Sequence, residues 1–156
     1  MLLLAFDTST RQSSIALSSE EALLGEYIWN AGSNHSVELL ASMRRLLIDC
    51  QITLPEVDAI AVATGPGMFN GVRVGVSAAK ALAFALQKPL LGISTLDGLA
   101  AQQYYWRGPI CSILEAGRGD LYTATYRCIE TSGDEGNIYF SIECIDEPGL
   151  LPPPNW

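Results

Sequence analysis

Asp7-Thr8-Ser9-Thr10 directly follows an apolar run, Leu2 to Phe6. An Asp just past a central strand can hold a hydrated metal ion, and hydroxyls beside it can contact phosphate. The same residue types also make ordinary turns, so the segment reads as a degenerate phosphate loop. Gly65-Pro66-Gly67 precedes a helical stretch, where free backbone N–H groups can bind an anion. No Gly-Lys-Ser/Thr follows it, which excludes a Walker P-loop. Glu115-Ala116-Gly117-Arg118-Gly119-Asp120 has the residue types of a second phosphate hairpin, but a plain β-turn fits it better. His35 is the only histidine. A metal centre with two histidine ligands and an H-E-x-x-H metalloprotease site are therefore excluded within the chain. A Ser–His–Asp triad would need His35 itself, and there is no G-x-S-x-G elbow. A helix-cap or interface role suits His35 better. No catalytic residue, metal ligand set or cofactor is assigned.

These residues need a scaffold. The continuous apolar run Leu2 to Phe6 is the pattern of a central strand covered on both faces. Ser14 to Leu17 and Leu23 to Trp29 read as two further strands joined by a turn at Ser18-Ser19-Glu20-Glu21. Ser33 or Asn34 can cap a helix that runs to about Cys50. Asp58 to Thr64 is a buried strand, Gly65-Pro66-Gly67 breaks the chain, and a second helix covers roughly Val72 to Leu86. Leu90 to Ile93 is a fourth apolar run, and Ser94 or Thr95 caps a third helix ending near Tyr104. Strands alternating with helices after an opening meander indicate an α/β domain with a mixed sheet over residues 1–105. Gly108-Pro109 marks the boundary to residues 106–156. There Ile110 to Leu114, Leu121 to Ile129 and Ile138 to Ile145 read as strands, with a Gly- and acid-rich loop at Thr131 to Asn137 and an irregular tail, Leu151-Pro152-Pro153-Pro154. No helix is expected after residue 105, so this second, mainly β lobe reads as incomplete.

The chain has 156 residues, 49% of them hydrophobic and 17% charged, enough to bury a core rather than stay disordered. The net charge is −8, and no three of the nine Lys and Arg stand together. Direct nucleic-acid binding by this chain alone is not expected, because that normally needs a basic face. Cys50, Cys111, Cys128 and Cys144 form no C-x-x-C pair and read as small buried hydrophobes in a reducing cytosol. The apolar N-terminus lacks a basic flank and breaks at Asp7, unlike a signal peptide. Val74 to Leu86 contains Ser77 and Lys80 and falls short of a bilayer span. No membrane association is expected, and the expected location is the cytoplasm.

Both main helices are more apolar than one core contact requires. Along Ser36 to Cys50, the apolar side chains fill an arc of roughly 220°, where a single buried stripe needs about 100°. In the second helix the main polar side chains, Arg73, Ser77 and Lys80, fall on one narrow stripe. Gly71, Gly75 and Ala79 recur at four-residue spacing, a pattern that lets another backbone approach closely. Gly75 inside a helix costs about 1 kcal/mol relative to Ala, so close packing should compensate. A helix wedged inside its own fold and a helix shared with a partner both fit the first helix. The two together suggest an oligomer surface, expected over His35, Leu39, Leu40, Met43 and Leu47 of the first helix and Gly71, Arg73, Gly75 and Ala79 of the second.

Several segments resemble the TsaB (YeaZ-type) family: Asp7-Thr8-Ser9-Thr10, His35-Ser36-Val37-Glu38-Leu39-Leu40, Gly65-Pro66-Gly67-Met68-Phe69-Asn70-Gly71-Val72-Arg73-Val74-Gly75, Ala79-Lys80-Ala81-Leu82-Ala83 and Ser94-Thr95-Leu96-Asp97. Arg118-Gly119-Asp120-Leu121-Tyr122 is similar more loosely, and the match covers about residues 2–127 in the family's order. The chain departs at Met68 and Asn70, where the family usually has Ser and Thr, and at Glu115 and Gly117, which replace an acidic-Ala-Arg pattern. The resemblance implies an actin-like ATPase (RNase H-like) fold in the glycoprotease-like superfamily. It also implies a non-catalytic subunit that pairs with TsaD, a catalytic paralogue, alongside the ATPase TsaE, in making threonylcarbamoyladenosine in tRNA. TsaD ligates its metal through histidines that this chain lacks. A homodimer is expected when the partner is absent. The alternatives are an active actin-like ATPase or glycoprotease-like peptidase, and a homodimeric structural protein.

Overall fold

The structure, a computed structural model, describes residues 1–31, 35–132 and 138–152, with the side chains of residues 35, 36, 138 and 139 outside that description. The expected caps Ser33 and Asn34, most of the 131–137 loop and the end of the proline tail therefore lie outside the described residues, as does the side chain of His35. The described chain forms two compact units, residues 1–93 and 94–156.

In the first unit, β1 (Leu3–Asp7), β2 (Gln12–Ser18) and β3 (Leu23–Asn30) form an antiparallel meander, with Phe6 opposite Ile15. Helix α1 (His35–Asp49) follows, then β4 (Ala59–Ala63), helix α2 (Phe69–Leu86) and β5 (Leu90–Ile93). β4 pairs parallel with β1, and β5 parallel with β4, giving the mixed order β3-β2-β1-β4-β5. The alternation of side chains along each strand puts Leu4, Phe6, Ile15, Leu17, Ile60 and Val62 into one core with Leu39, Met43, Leu46 and Leu47 of α1 and Ala79 and Ala83 of α2. α1 lies on β2 and β3, α2 on β4 and β1, and the two helices touch. Helix α2 begins at Phe69, three residues before the expected Val72, because Met68 is the last extended residue and the Val72 N–H already donates to the Met68 carbonyl. β5 is an edge strand, and Leu90, Leu91 and Ile93 are exposed.

The second unit holds α3 (Thr95–Ala101), β6 (Ile110–Gly117), β7 (Asp120–Ser132) and β8 (Ile138–Leu151), the strands forming one antiparallel sheet. Gly117 and Gly119 take positive φ in the β6–β7 turn, so this stretch is the plain turn. The division after Ile93 corrects the expected boundary at residue 105, and α3 gives the second sheet the helical cover it was expected to lack. The reason is packing: Leu96 and Ala100 are fully buried against Ile110, Ala124 and Tyr126. The Ser94 hydroxyl caps α3 by accepting from the Leu96 N–H at 3.2 Å, and Ser112 donates to the Leu96 carbonyl at 2.9 Å. The Tyr126 hydroxyl donates to Asp97 at 2.7 Å. Burial, then this bond to a carboxylate, raises the Tyr126 pKa well above its ordinary value of 10.0. A raised tyrosine pKa means stability that is full below pH 10 and is lost as pH rises beyond it. Tyr126→Phe should cost about 1–2 kcal/mol and remove that alkaline loss, measured by urea unfolding at pH 7 and pH 11. Equal stability of the two proteins at both pH values would contradict it.

The four cysteines are free thiols. Only Cys128 is buried, while Cys111 and Cys144 are exposed, which corrects the expectation that all four serve as buried hydrophobes. No helix among the described residues is long and apolar enough to cross a membrane.

Candidate partner interface

The loop after β1 is closed on itself. The Asp7 carboxylate accepts from the Ser9 N–H at 2.6 Å, and the Thr10 hydroxyl donates to the Gln12 carbonyl at 2.7 Å. Thr8 and Ser9 are buried, and the Thr8 hydroxyl donates to the Gly71 carbonyl in the first turn of α2 at 2.7 Å. The Met68 N–H donates to the Ser9 carbonyl at 2.7 Å, and Gly67 packs so tightly on Ser9 that no Cβ fits there. The two segments singled out as phosphate-binding candidates thus bind each other. Thr8 and Ser9 act as a clasp for the start of α2, with the Thr8 hydroxyl committed to a protein acceptor, while Asp7 and Thr10 bond within their own loop.

The same clasp reassigns the small-residue stripe. Gly71, Gly75, Ala79 and Ala83 are the buried residues of α2. A Cβ at Gly75 would collide with the Thr8 hydroxyl and touch Val62 of β4. The close approach read from the Gly71-Gly75-Ala79 spacing is real, but it is to the chain's own sheet and not to a partner. Leu39, Met43 and Leu47 are likewise core residues, buried under α1. Of the expected interface residues with described side chains, Leu40 and Arg73 remain on the surface.

What sequence reasoning missed is the other arc of each helix. On α1, Val37 and Ile48 are 69% and 59% exposed, on the side away from Leu39, Met43 and Leu46, and Leu40, already expected at the surface, is 56% exposed. On α2, Phe69 and Phe84 are 72% and 79% exposed. Between the helices runs a groove of about 860 Å³ lined by Leu39, Leu40, Asn70, Arg73, Val74, Ser77, Ala78, Ala81, Leu82 and Ala85. The guanidinium of Arg73 lies over the Phe69 ring, 5.1 Å from its centroid. On the far flank of α1, Arg45 and Asp49 pair with each other at 3.0 Å, and Tyr27 of β3 also donates to Asp49. These bonds, that from Tyr27 first, hold the Asp49 pKa below its ordinary value.

A family model described as TsaD, tRNA N6-adenosine threonylcarbamoyltransferase, matches residues 29–145. The solved structure of YeaZ from Pseudomonas aeruginosa superposes with a TM-score of 0.82 at 33% identity, over 97% of this chain and 68% of that one. The chain belongs to the TsaB (YeaZ) family. Among curated TsaB proteins, that of Bacillus subtilis is 41% identical over 127 residues, covering 81% of this chain and 56% of the relative. That of Escherichia coli is 28% identical over 162 residues, covering 94% of this chain and 65% of the relative. The chain therefore spans between about half and two thirds of these TsaB relatives' length. The expected actin-like (RNase H-like) α/β fold with a mixed sheet is the one this TsaB-family chain has, shared with the YeaZ structure.

Proposed function

We propose that this chain acts as the partner-binding part of a TsaB-type subunit, pairing with a TsaD-type catalytic subunit in forming threonylcarbamoyladenosine in tRNA, and that it is itself non-catalytic. The observation that carries this reading is the groove between α1 and α2, with apolar side chains exposed on both helices beyond what the core uses. The names of the curated TsaB relatives supply the pathway. A TsaD-type enzyme from Symbiobacterium thermophilum, 37% identical over 109 residues, supports a paralogous relation between this part of the chain and the catalytic enzyme. A TsaE-type ATPase belongs to the same proposed complex, a second copy of this chain takes the face when the catalytic subunit is absent, and the setting is the cytoplasm. The isolated chain is expected to turn over neither ATP nor peptide, since it has a single histidine and no Walker P-loop.

Co-purification of the chain with the TsaD-type protein of the same organism is the direct test, with one-to-one association by light scattering as the supporting result. No association of the two pure proteins at any concentration up to tens of micromolar would overturn it. tRNA itself should not bind this chain. Its charge of −8 opposes a polyanion. In a gel shift at physiological salt no complex is expected at low-micromolar chain; a shift without other subunits would mean that the chain contacts tRNA directly.

A further inference from the structure

We propose that an aromatic platform on the second unit holds the proline-rich segment 151–154 of a second copy of this chain. Tyr104, Tyr105 and Trp106 are consecutive, and each is more than half exposed. Phe140 of β8, also exposed, completes the platform. Its ring centroid lies 5.7 Å from that of Tyr104, and Tyr104 meets Tyr105 edge-on at 5.8 Å. The rings are held in place. The Cys128 thiol donates to the Tyr104 carbonyl, the Trp106 indole covers Gly108 so closely that a Cβ there would collide with it, and the Arg107 guanidinium lies over Phe140, 5.5 Å from its centroid. Fixed, exposed Tyr and Trp side chains are typical anchors of a recognition surface. The charges beside them cancel, because Arg107 pairs with Glu130 at 2.7 Å. The surface therefore suits an uncharged ligand with flat apolar faces, and the ring donors of Tyr and Trp suit carbonyl acceptors. A run of prolines has that chemistry: rigid rings, carbonyls, and no N–H to leave unpaired. Pro-rich segments dock on aromatic-lined surfaces in this way. The chain has one run of consecutive prolines, Pro152-Pro153-Pro154, and residues 150–156 carry no charged side chain.

The platform and the proline run lie at opposite ends of β8. The eleven steps from Phe140 to Leu151 span about 36 Å, whereas the five residues after Leu151 reach about 16 Å as a polyproline helix. A chain cannot place this run on its own platform, so the occupant comes from another copy. Two copies with their β8 strands antiparallel bring each run to the other's platform about a two-fold axis, and two linked contacts hold more tightly than one. The contact lies wholly within residues 94–156 and uses nothing of α1 or α2. The test is therefore made on the full chain carrying Leu40→Asp, so that the α1/α2 groove does not contribute. Sedimentation equilibrium should still find dimers. Trp106→Ser, and independently Tyr105→Ser, should weaken them by about tenfold or more. Pro153→Gly with Pro154→Gly should do the same, because it removes the fixed φ of the run. Mixing the Trp106→Ser chain with the double-glycine chain should restore one of the two contacts and recover part of the association. A peptide of residues 149–156 should bind the Leu40→Asp chain in titration calorimetry and fail to bind once Trp106→Ser is added. Circular dichroism is the folding control. Dimers that the platform and proline variants leave within about twofold would overturn the proposal. So would dimers sensitive to the platform variants alone, which would mean another occupant, and so would a chain that neither dimerises nor binds the peptide at hundreds of micromolar.

Discussion

Gly75→Leu is expected to unfold the first unit or destabilise it by about 3 kcal/mol or more. Gly75 sits in the interior of α2, where Gly→Ala on an exposed face would gain about 1 kcal/mol from helix propensity. Here any Cβ meets the Thr8 hydroxyl, which is fixed by its bond to the Gly71 carbonyl at 2.7 Å, with Val62 immediately behind. Accommodating a side chain means breaking that buried bond or lifting α2 off β1 and β4. The mild variant is the sharper instrument, because propensity and packing predict opposite signs. Gly75→Ala should lower stability by about 1–3 kcal/mol in urea unfolding. Combined with Thr8→Ala, which removes the obstructing oxygen, the two losses should be clearly less than additive, since the residues touch. A Gly75→Ala protein more stable than its parent would show that α2 does not bear on Thr8, and would return Gly75 to the candidate partner surface.

Leu40→Asp should leave the fold intact and remove partner binding. Leu40 is 56% exposed, lines the groove and is flanked on α1 by Val37 and Arg44. Losing a central apolar contact in an interface costs about 2 kcal/mol or more, a factor of about 30 or more in affinity, and a carboxylate in an apolar groove adds its own desolvation. Stability should fall by no more than about 0.5–1 kcal/mol, the helix-propensity cost of Asp. Ile28→Asp on β3 is the matched control: Ile28 is equally exposed, at 56%, but lies off the α1/α2 face. Titration calorimetry with the TsaD-type subunit should find Ile28→Asp close to the parent and Leu40→Asp without measurable heat. Equal loss from both would indicate a general effect of surface charge.

The strands, the three helices and the mixed sheet were legible in the chain because the apolar period changes cleanly between elements, and Gly65-Pro66-Gly67 separates β4 from α2. The excess of apolar surface on both helices was legible as well. Which arc faced inward was not. A wheel gives angles between residues, but the direction of the core depends on where β1 and β2 lie, so Leu39, Met43 and Leu47 were placed on the partner surface while Val37, Ile48 and Phe84 were left off it. A row of Gly71, Gly75 and Ala79 reports that something comes close without saying what, and the neighbour, Thr8, is more than sixty residues away in the chain. The boundary was misplaced for a related reason: Gly108-Pro109 is a strong local break, while the burial of Leu96 and Ala100 against β6 and β7 is a long-range fact. The face of α1 and α2 had one signal that could have located it, the absence of any acid from Phe69 to Leu86 in an otherwise acidic chain.

Hydrogen–deuterium exchange of the chain, alone and mixed with an excess of the TsaD-type subunit, tests the docking face most directly and without altering any residue. Pairing through the groove requires slowed exchange in peptides covering Val37–Ile48 and Phe69–Ala85, with β3, β6 and the β6–β7 turn unchanged. A stable complex in which those two helices exchange as in the free chain, and protection appears elsewhere, would contradict it.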